Sequence, residues 1–387
     1  MNSTNQSSLG ELVRSLNEAR PFELADEVAV YLRRTAHSDR CTLLLADYAE
    51  QALEPVPSRE GGQPFVEQSI EGTAAGAAYR SGYLSVHDED GAAIVFVPVT
   101  VRSERLGILA LRVPSPDAST QSILGDVGLV VANALLASRG YTDRFERIRR
   151  RRDLELAAEI QWELLPVLAY DSSDFAIAGS LEPAYEIGGD IFDYSVAEKT
   201  VTVGITDAMG HGIKAALLSS LTVNTMRNCR RRGDNLVGQV GAAADQVSRM
   251  FDEGYVSGFF FTMNQATGAA LAVNAGHLPP VLLRDGAVST LEIPPSTPLA
   301  MFTDTEYRTH PISLHPGDRL ILHTDGITEA HPRHGAYFGD QKLADILLET
   351  QHNTAREVVR LLTSEVSEHM GGDLRDDATA VCFDWRR

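Results

Sequence analysis

The chain has 387 residues, which is enough for two or three domains rather than one core. Its composition, 43% hydrophobic and 22% charged, is ordinary for a globular protein, while the net charge of −19 argues against a nucleic-acid-binding surface, which is normally basic. Three widely spaced cysteines, a polar N-terminus and the lack of an uninterrupted apolar run near roughly 20 residues predict a cytoplasmic protein without a secretion signal or membrane helix.

Residues 9–137 have the pattern of a first domain that mixes helices and strands. Helical spacing of apolar residues opens it, strands are predicted at Thr42–Ala46 and Ala92–Val99, and a polar turn leads to a second hairpin strand at Leu106–Leu111. A closing helix is predicted around residues 123–135. The strand-turn-strand VFVPVTVRSERLGILALRV, the preceding GTAAGAAYRSGYLSV and the closing helix make this segment similar to a GAF domain. The resemblance implies a sensor domain, but no residue in it indicates which ligand it binds.

Residues 138–166 are predicted to be a charged helical linker that ends at Pro166. Two apolar stripes at helical spacing lie on either side of the basic run Arg149–Arg152, and they do not continue in one phase. Two interpretations remain open at this point. The segment is either a coiled-coil linker whose seam slips at the arginine run, or one amphipathic helix that packs on a neighbouring domain while the arginines are solvated.

Residues 174–387 are predicted to form an α+β domain, because consecutive hairpins alternate with paired helices rather than with single crossovers. The predicted helices are Ile213–Cys229, Leu236–Phe251, Lys342–Glu349 and Ala355–His369. The predicted strands are Phe192–Val196, Val201–Thr206, Gly258–Met263, Ala269–Asn274, Pro280–Leu283, Arg319–His323 and Ala378–Phe383.

Four aspartates in this segment each border one of the strand-like runs: Asp190, Asp207, Asp325 and Asp376. If the strand ends converge, the four carboxylates repel one another unless cations lie among them. Oxygen ligands of this kind suit hard divalent ions such as Mg²⁺ and Mn²⁺. Taken singly, however, motifs such as Thr324-Asp325-Gly326 are common turns, so the metal interpretation depends on the four occurring together.

The order and spacing of these motifs make residues 174–387 similar to the catalytic domain of PPM-type serine/threonine phosphatases of the SpoIIE/RsbU branch. The stretches EIQWELLP (159–166), TGAALAVNAGHLPPVLLR (267–284) and GDRLILHTDGITEA (317–330) match as well. The resemblance implies an αββα sandwich with two Mn²⁺ or Mg²⁺ ions.

The same resemblance implies a role for each aspartate. Asp207 bridges the two ions, Asp325 and Asp376 bind one of them, and Asp190 and the backbone carbonyl of Ala208 serve the other. Two such ions can lower the pKa of a bridging water and direct it at phosphorus, so no covalent phosphoenzyme is required.

Four further residues are candidates for supporting roles. His211 is an available proton donor for the leaving serine or threonine oxygen. Asp193 and Asp377 are candidates for contacts to the metal ligands, and Asp377 also neighbours the expected ligand closely enough to replace it in the alignment. His277 is expected to make structural hydrogen bonds.

The function expected from these observations is a metal-dependent protein phosphatase regulated by the GAF-like domain through the linker, acting as a homodimer. Family resemblance implies a phosphorylated STAS-type anti-sigma-factor antagonist as the substrate. Two alternatives are a catalytically silent phosphoprotein-binding regulator and a diguanylate cyclase. The cyclase alternative depends on the Gly188-Gly189-Asp190-Ile191-Phe192 motif alone and leaves Thr324-Asp325-Gly326 unexplained.

Overall fold

The computed structural model of the chain describes residues 3–151, 153–182, 188–332, 335–371, 374 and 377–387. The chain divides into two compact units, Met1–Asp153 and Leu154–Arg387. The division therefore falls inside the segment that was predicted to be the linker.

The first unit consists of one antiparallel sheet with helices on both faces. Its strands lie in the order β3-β2-β1-β6-β5-β4. They are β1 (Arg40–Ala46), β2 (Ala52–Pro55), β3 (Gln68–Ser69), β4 (Ser85–Glu89), β5 (Ala92–Val101) and β6 (Glu104–Val113). The helices are α1 (Ser3–Glu18), α2 (Leu24–Ala36), α3 (Ala74–Ser81), α4 (Ala118–Ser138) and α5 (Arg144–Arg149).

Strand β1 shows how the sequence divides the two faces of this sheet. Successive side chains of a strand point to opposite faces, and all the apolar side chains of β1 are buried. Leu43 and Leu45 belong to a core shared with α1, α2 and α4. Leu44 and Ala46 belong to a second core on the other face, which includes Tyr79 of α3. The unit thus has two apolar layers, one on each side of the sheet.

Helix α4 is, among the described residues, the one helix long and apolar enough to cross a membrane by length and composition. Its polar residues Asp126 and Asn133 interrupt the apolar sequence, which is why no continuous run was evident. Its side chains Leu124, Val127 and Val131 are buried in the core of the first unit. Core helices of folded domains meet the same criteria, so this property of α4 is weak evidence for a membrane span.

The prediction of one continuous helical linker over residues 138–166 is wrong. The structure has two short helices instead, α5 in the first unit and α6 (Leu156–Leu164) in the second. After α5 the backbone turns to an extended conformation at Arg150. Contacts made by Arg149 explain the break, because its side chain donates to the carbonyl of Ala46 at 2.9 Å and its own carbonyl accepts from the amide of Tyr48 at 3.3 Å. Neither periodicity nor charge signals such long-range contacts.

The second unit contains two antiparallel sheets, ordered β15-β12-β11-β10-β9 and β14-β13-β16-β17-β8-β7. The strands of the first are β9 (Ile191–Val196), β10 (Thr200–Ala208), β11 (Val256–Asn264), β12 (Ala269–Ala275) and β15 (His310–Ser313). Those of the second are β7 (Ala169–Asp171), β8 (Phe175–Glu182), β13 (Val281–Arg284), β14 (Ala287–Thr290), β16 (Arg319–His323) and β17 (Ala378–Trp385). Besides α6, the helices are α7 (Ile213–Arg232), α8 (Leu236–Met250), α9 (Asp325–Thr328), α10 (Gly339–Glu349) and α11 (Ala355–Met370).

The two sheets of this unit share one apolar core, and helices cover their outer faces. The shared core includes Phe192 and Phe261 from one sheet and Phe383 from the other. Phe260, the neighbour of Phe261 on β11, points to the opposite face and packs in a cluster with residues of α7 and α8. Helices α10 and α11 contribute to a separate cluster with β8, β16 and β17. The strand ends that carry the predicted site lie next to the shared core.

Three helices of the second unit begin or end at residues that are recognisable in the sequence as capping residues or terminal glycines. Asn235 and Thr354 cap the N-termini of α8 and α11, since their side chains accept hydrogen bonds from the amides of Gly238 and Glu357. Helices α7 and α11 both end at a glycine in the left-handed conformation. These local signals explain why the predicted helix boundaries agree with the structure to within three residues.

Candidate metal centre

The predicted acidic motifs lie at the ends of four strands from two facing sheets. Asp190 immediately precedes β9, and Asp207 lies near the end of β10, which pairs with β9. Asp325 opens the short helix α9 just after β16, and Asp377 immediately precedes β17, which pairs with β16. Each sheet therefore contributes two acidic residues from adjacent strands.

Hydrogen bonds join the acidic residues of the two sheets. The Thr324 hydroxyl donates to Oδ2 of Asp190 at 2.6 Å, and the amide of Asp190 donates to Oδ2 of Asp377 at 3.2 Å. The same threonine oxygen accepts from the amide of Thr379 at 3.1 Å, which ties it to β17. The carboxylate and the amide of Asp190 are thus held by Thr324 and Asp377, which flank strands of the opposite sheet.

Asp190 is a buried carboxylate with two acidic neighbours. The residue is only 3% exposed. Burial raises the pKa of Asp190 well above its ordinary value, and the negative charges of Asp207 and Asp377 raise it further. Hydrogen bonds from Thr324 and Thr379 lower the pKa but do not reverse the shift. The carboxylates of Asp207 and Asp377 therefore lie close enough to disfavour the ionised form of Asp190.

Two glycines allow the loops of the site to approach closely. A Cβ atom at Gly326 would lie 1.9 Å from the carbonyl oxygen of Asp377, so only glycine permits the turn after Asp325 to pack against Asp377. A Cβ atom at Gly189 would lie 3.3 Å from the carbonyl oxygen of Ala208. The carbonyl predicted to be a ligand therefore lies beside the segment that leads into Asp190.

The other predicted site residues fall in different surroundings. Asp376 lies outside the described residues. Asp207 and Asp325 are partly exposed, and Ala208 is buried. His211 is exposed in the loop between β10 and α7.

Asp193 does not contact the acidic residues in any hydrogen bond that the structure shows. It lies on β9, and its carboxylate accepts from Arg227 at 2.8 and 3.0 Å and from Arg230 at 3.0 Å. Arg227 also donates to the carbonyl of Leu164 at 2.7 Å. Asp193 therefore connects β9 to α7 and, through Arg227, to the C-terminal end of α6.

His277 makes structural hydrogen bonds, as expected. Its ring contacts the hydroxyl of Ser257 at 2.8 Å and the carbonyl of His323 at 3.1 Å. The side chain of Asn274 brackets it, accepting from its amide and donating to its carbonyl. Burial lowers the pKa of His277 to about 3, so the ring is neutral. Through Ser257 and His323 it joins β11, the strand that pairs with β10, to the end of β16.

Sequence reasoning missed two polar residues at the centre of the site, Thr324 and Gln161. Thr324 is completely buried, and Gln161 is 1% exposed. Both lie in stretches that resemble the phosphatase family, EIQWELLP and GDRLILHTDGITEA. A buried polar side chain next to a predicted ligand is the signal that would have identified them.

The chemistry of this donor set fits a hard divalent cation. Within the described part of the chain, no group of three or more acidic, histidine or cysteine side chains is arranged to hold a metal ion by itself. The predicted ligand set also requires Asp376, which lies outside that part. Even so, burial and, after it, the charges of Asp207 and Asp377 raise the pKa of Asp190, and a divalent cation among these carboxylates would offset their repulsion.

Comparisons with known proteins agree with this description of the second unit. Residues 197–386 match the sequence model of the family described as Stage II sporulation protein E (SpoIIE). The chain is 23% identical over 236 residues to the phosphoserine phosphatase RsbU of Bacillus subtilis, a match that covers 59% of this chain and 69% of RsbU. It is 26% identical over 191 residues to the phosphoserine phosphatase RsbP of the same organism, covering 47% of each.

A solved structure matches the fold as well. The SiaA-PP2C domain of Pseudomonas aeruginosa superimposes with a TM-score of 0.50 at 22% identity, covering 59% of this chain and 94% of that domain. At this identity the likeness concerns the fold, which is the mixed α/β fold of PPM phosphatases. The matched segments span from 41% to 69% of the length of the curated relatives.

Proposed function

Because the C-terminal unit of this chain is a phosphatase domain of the SpoIIE family, we propose that the protein is a metal-dependent phosphatase that hydrolyses phosphoserine or phosphothreonine on a regulatory protein. The observation that carries this proposal is the meeting of Asp190, Asp207 and Asp377 at the ends of strands from two sheets. A buried acidic cluster of this kind is costly to the fold unless it serves a cation.

In this proposal the ions are held by Asp190, Asp207, Asp325, Asp376 and the carbonyl of Ala208. When bound, two such ions supply a water molecule of lowered pKa for direct attack on phosphorus and neutralise the phosphoryl oxygens.

The residues of the chain have separate tasks in this mechanism. The Thr324 hydroxyl holds Oδ2 of Asp190, which fixes the orientation of that carboxylate. Asp377 holds the backbone amide of Asp190, which places the residue between the sheets. His211, exposed in the loop after β10, is the candidate that donates a proton to the serine or threonine oxygen as it leaves.

We propose a STAS-type anti-sigma-factor antagonist, phosphorylated on serine or threonine, as the substrate. The similarity to two proteins named phosphoserine phosphatases supports the phosphoserine part of this proposal. We expect the full chain with Mn²⁺ to release phosphate from phosphoseryl or phosphothreonyl STAS proteins and to leave a phosphotyrosyl peptide intact. Phosphate release is measured colorimetrically over time.

Two results would reject this substrate class. Equal turnover of the phosphotyrosyl peptide would contradict the restriction to serine and threonine. Binding of the phosphorylated STAS protein without any release of phosphate, unaffected by Asp207→Asn, would favour the catalytically silent regulator instead.

We also propose that the first unit is a GAF-like sensor that forms a homodimer and regulates the phosphatase through residues 138–166. Its six-stranded sheet with helices on both faces supports the GAF resemblance. We expect the phosphate-release rate of residues 154–387 to differ from that of the full chain under identical conditions. Equal rates over the whole range of substrate concentration would argue against regulation through this segment.

A further inference from the structure

Gln161 of α6 connects the two halves of the acidic site. Its Nε2 donates to the backbone carbonyl of Asp190 at 2.7 Å and to Oδ2 of Asp377 at 3.0 Å. Both partners are acceptors, so the amide nitrogen and not the amide oxygen must face them. One side chain therefore uses both of its N–H groups to join the start of β9 to the start of β17.

An amide is suited to this position because it donates without carrying a charge. A lysine or arginine in place of Gln161 would neutralise the carboxylates and compete with a bound cation. A glutamate would add a further negative charge to a cluster in which Asp190 already has two acidic neighbours. Unlike lysine, arginine or glutamate, glutamine donates a hydrogen bond to the carboxylate of Asp377 without changing the net charge of the acidic cluster that would bind the ion.

The position of α6 is itself set by contacts with the site segments. A Cβ atom at Gly188 would lie 2.8 Å from the Cβ of Ala157, so α6 lies directly against the residues that lead into Asp190. At the other end of α6, Arg227 donates to the carbonyl of Leu164 at 2.7 Å. Arg227 is held in turn by the carboxylate of Asp193.

From these contacts we infer that Gln161 is a positioning residue for the metal-binding carboxylates, and that the placement of α6 sets the affinity of the site for divalent cations. The inference rests on the proposed function, since it concerns the same site. Gln161 acts through Asp190 and Asp377. Removal of its amide leaves only the hydrogen bond from the Asp190 amide at 3.2 Å to join Asp190 to the Asp377 carboxylate, while the ligand atoms themselves remain.

The test compares two buried glutamines of the same unit. Gln161→Met keeps the length and volume of the side chain and removes both donors. Gln239→Met is the matched control, because Gln239 is 4% exposed, lies on α8 and donates to the carbonyl of Asp234 at 2.8 Å rather than to the acidic residues. Binding of Mn²⁺ to each full-length protein is measured by titration calorimetry in the absence of substrate, and phosphate release is measured across Mn²⁺ concentrations.

We expect Gln161→Met to weaken Mn²⁺ binding by about 10-fold to 100-fold, the usual effect of losing a group that orients metal ligands. The Mn²⁺ concentration for half-maximal phosphate release rises by the same factor, while the rate at saturating Mn²⁺ changes less. Gln239→Met binds Mn²⁺ as the wild type does. A variant that merely loosened the fold would lower the saturating rate instead.

A second variant keeps the test decisive if Gln161→Met fails to fold. Gln161→Asn retains the amide but is too short to reach both acceptors, and it is expected to weaken Mn²⁺ binding as well. Wild-type Mn²⁺ affinity in a folded variant would overturn the inference. Loss of folding in both variants would also overturn it, because Gln161 would then stabilise the unit rather than position the ligands. If the wild type binds Mn²⁺ but releases no phosphate, the proposed function fails while the binding comparison still decides the role of Gln161.

Discussion

Replacement of Asp207 by alanine is expected to lower the rate of metal-dependent phosphate release by at least about 100-fold, since even groups that only orient metal ligands are worth 10-fold to 100-fold. Asp207 lies at the end of β10, is partly exposed, and raises the pKa of Asp190 through its charge. In the proposed site Asp207 would be one of the residues that hold the ions, so its loss would remove a carboxylate from the donor set.

The fold is expected to survive this substitution. The carboxylate of Asp207 is an unfavourable neighbour for buried Asp190 when no cation is bound, so its removal relieves repulsion. Asp285→Asn, an exposed change in the turn between β13 and β14, is the control for a lost carboxylate elsewhere in the same unit. Circular dichroism checks the fold of both variants. Turnover by Asp207→Ala at the rate of Asp285→Asn would show that Asp207 does not bind the catalytic ions.

The second large effect concerns stability rather than rate. A ligand that binds only the folded state stabilises it by about 2.7 kcal/mol at a concentration of 100 times its Kd. For a unit of this size, that corresponds to a rise in Tm of roughly 5 to 10 °C. We therefore expect Mn²⁺ or Mg²⁺ to raise the Tm of the C-terminal unit, because the cation also removes the repulsion at Asp190.

Differential scanning calorimetry of the full chain measures this shift, with sodium chloride of equal ionic strength as the control for screening. Asp207→Ala is expected to show a much smaller shift than the wild type. An equal shift in both proteins would place the stabilising ion somewhere other than the acidic site, and no shift in either would mean that the folded chain does not hold these ions tightly.

The prediction of the second unit succeeded where local signals are strong. The strand Arg319–His323 has the predicted bounds, and the capped helices α8 and α11 agree with their predicted bounds to within one residue. Strand β8 (Phe175–Glu182) was not predicted. Its apolar sequence shows no alternation because both faces are buried, and Gly179 leaves room for the ring of Phe192 from the other sheet. That packing depends on residues distant in the sequence.

The acidic site was predictable in part for the same reason. The strand ends that carry Asp190, Asp207 and Asp325 could be recognised from the apolar runs and glycines beside them. The hydrogen bonds of Thr324 and Gln161 could not be predicted, because they join segments that are far apart in the chain. Thr324 and Asp190 are 134 residues apart, and Gln161 and Asp377 are 216 residues apart. The docking of α5 on β1 was missed on the same grounds.

The role of Asp193 shows a further limit of motif reasoning. Asp193 was a candidate for contacts to the metal ligands, and it lies three residues after Asp190. On a strand, however, residues separated by three positions point to opposite faces. Asp193 accordingly pairs with Arg227 and Arg230 of α7, on the other side of β9 from Asp190.

The central claim is that this chain hydrolyses a phosphoserine ester with divalent ions held by its acidic site. The most direct measurement is the initial rate of phosphate release from a phosphoseryl STAS protein by the full chain, first with Mn²⁺, then after chelation, and again after Mn²⁺ is restored. We predict turnover that stops on chelation and returns with Mn²⁺. Turnover that persists in the chelated protein, or no turnover at any Mn²⁺ concentration, would contradict the claim.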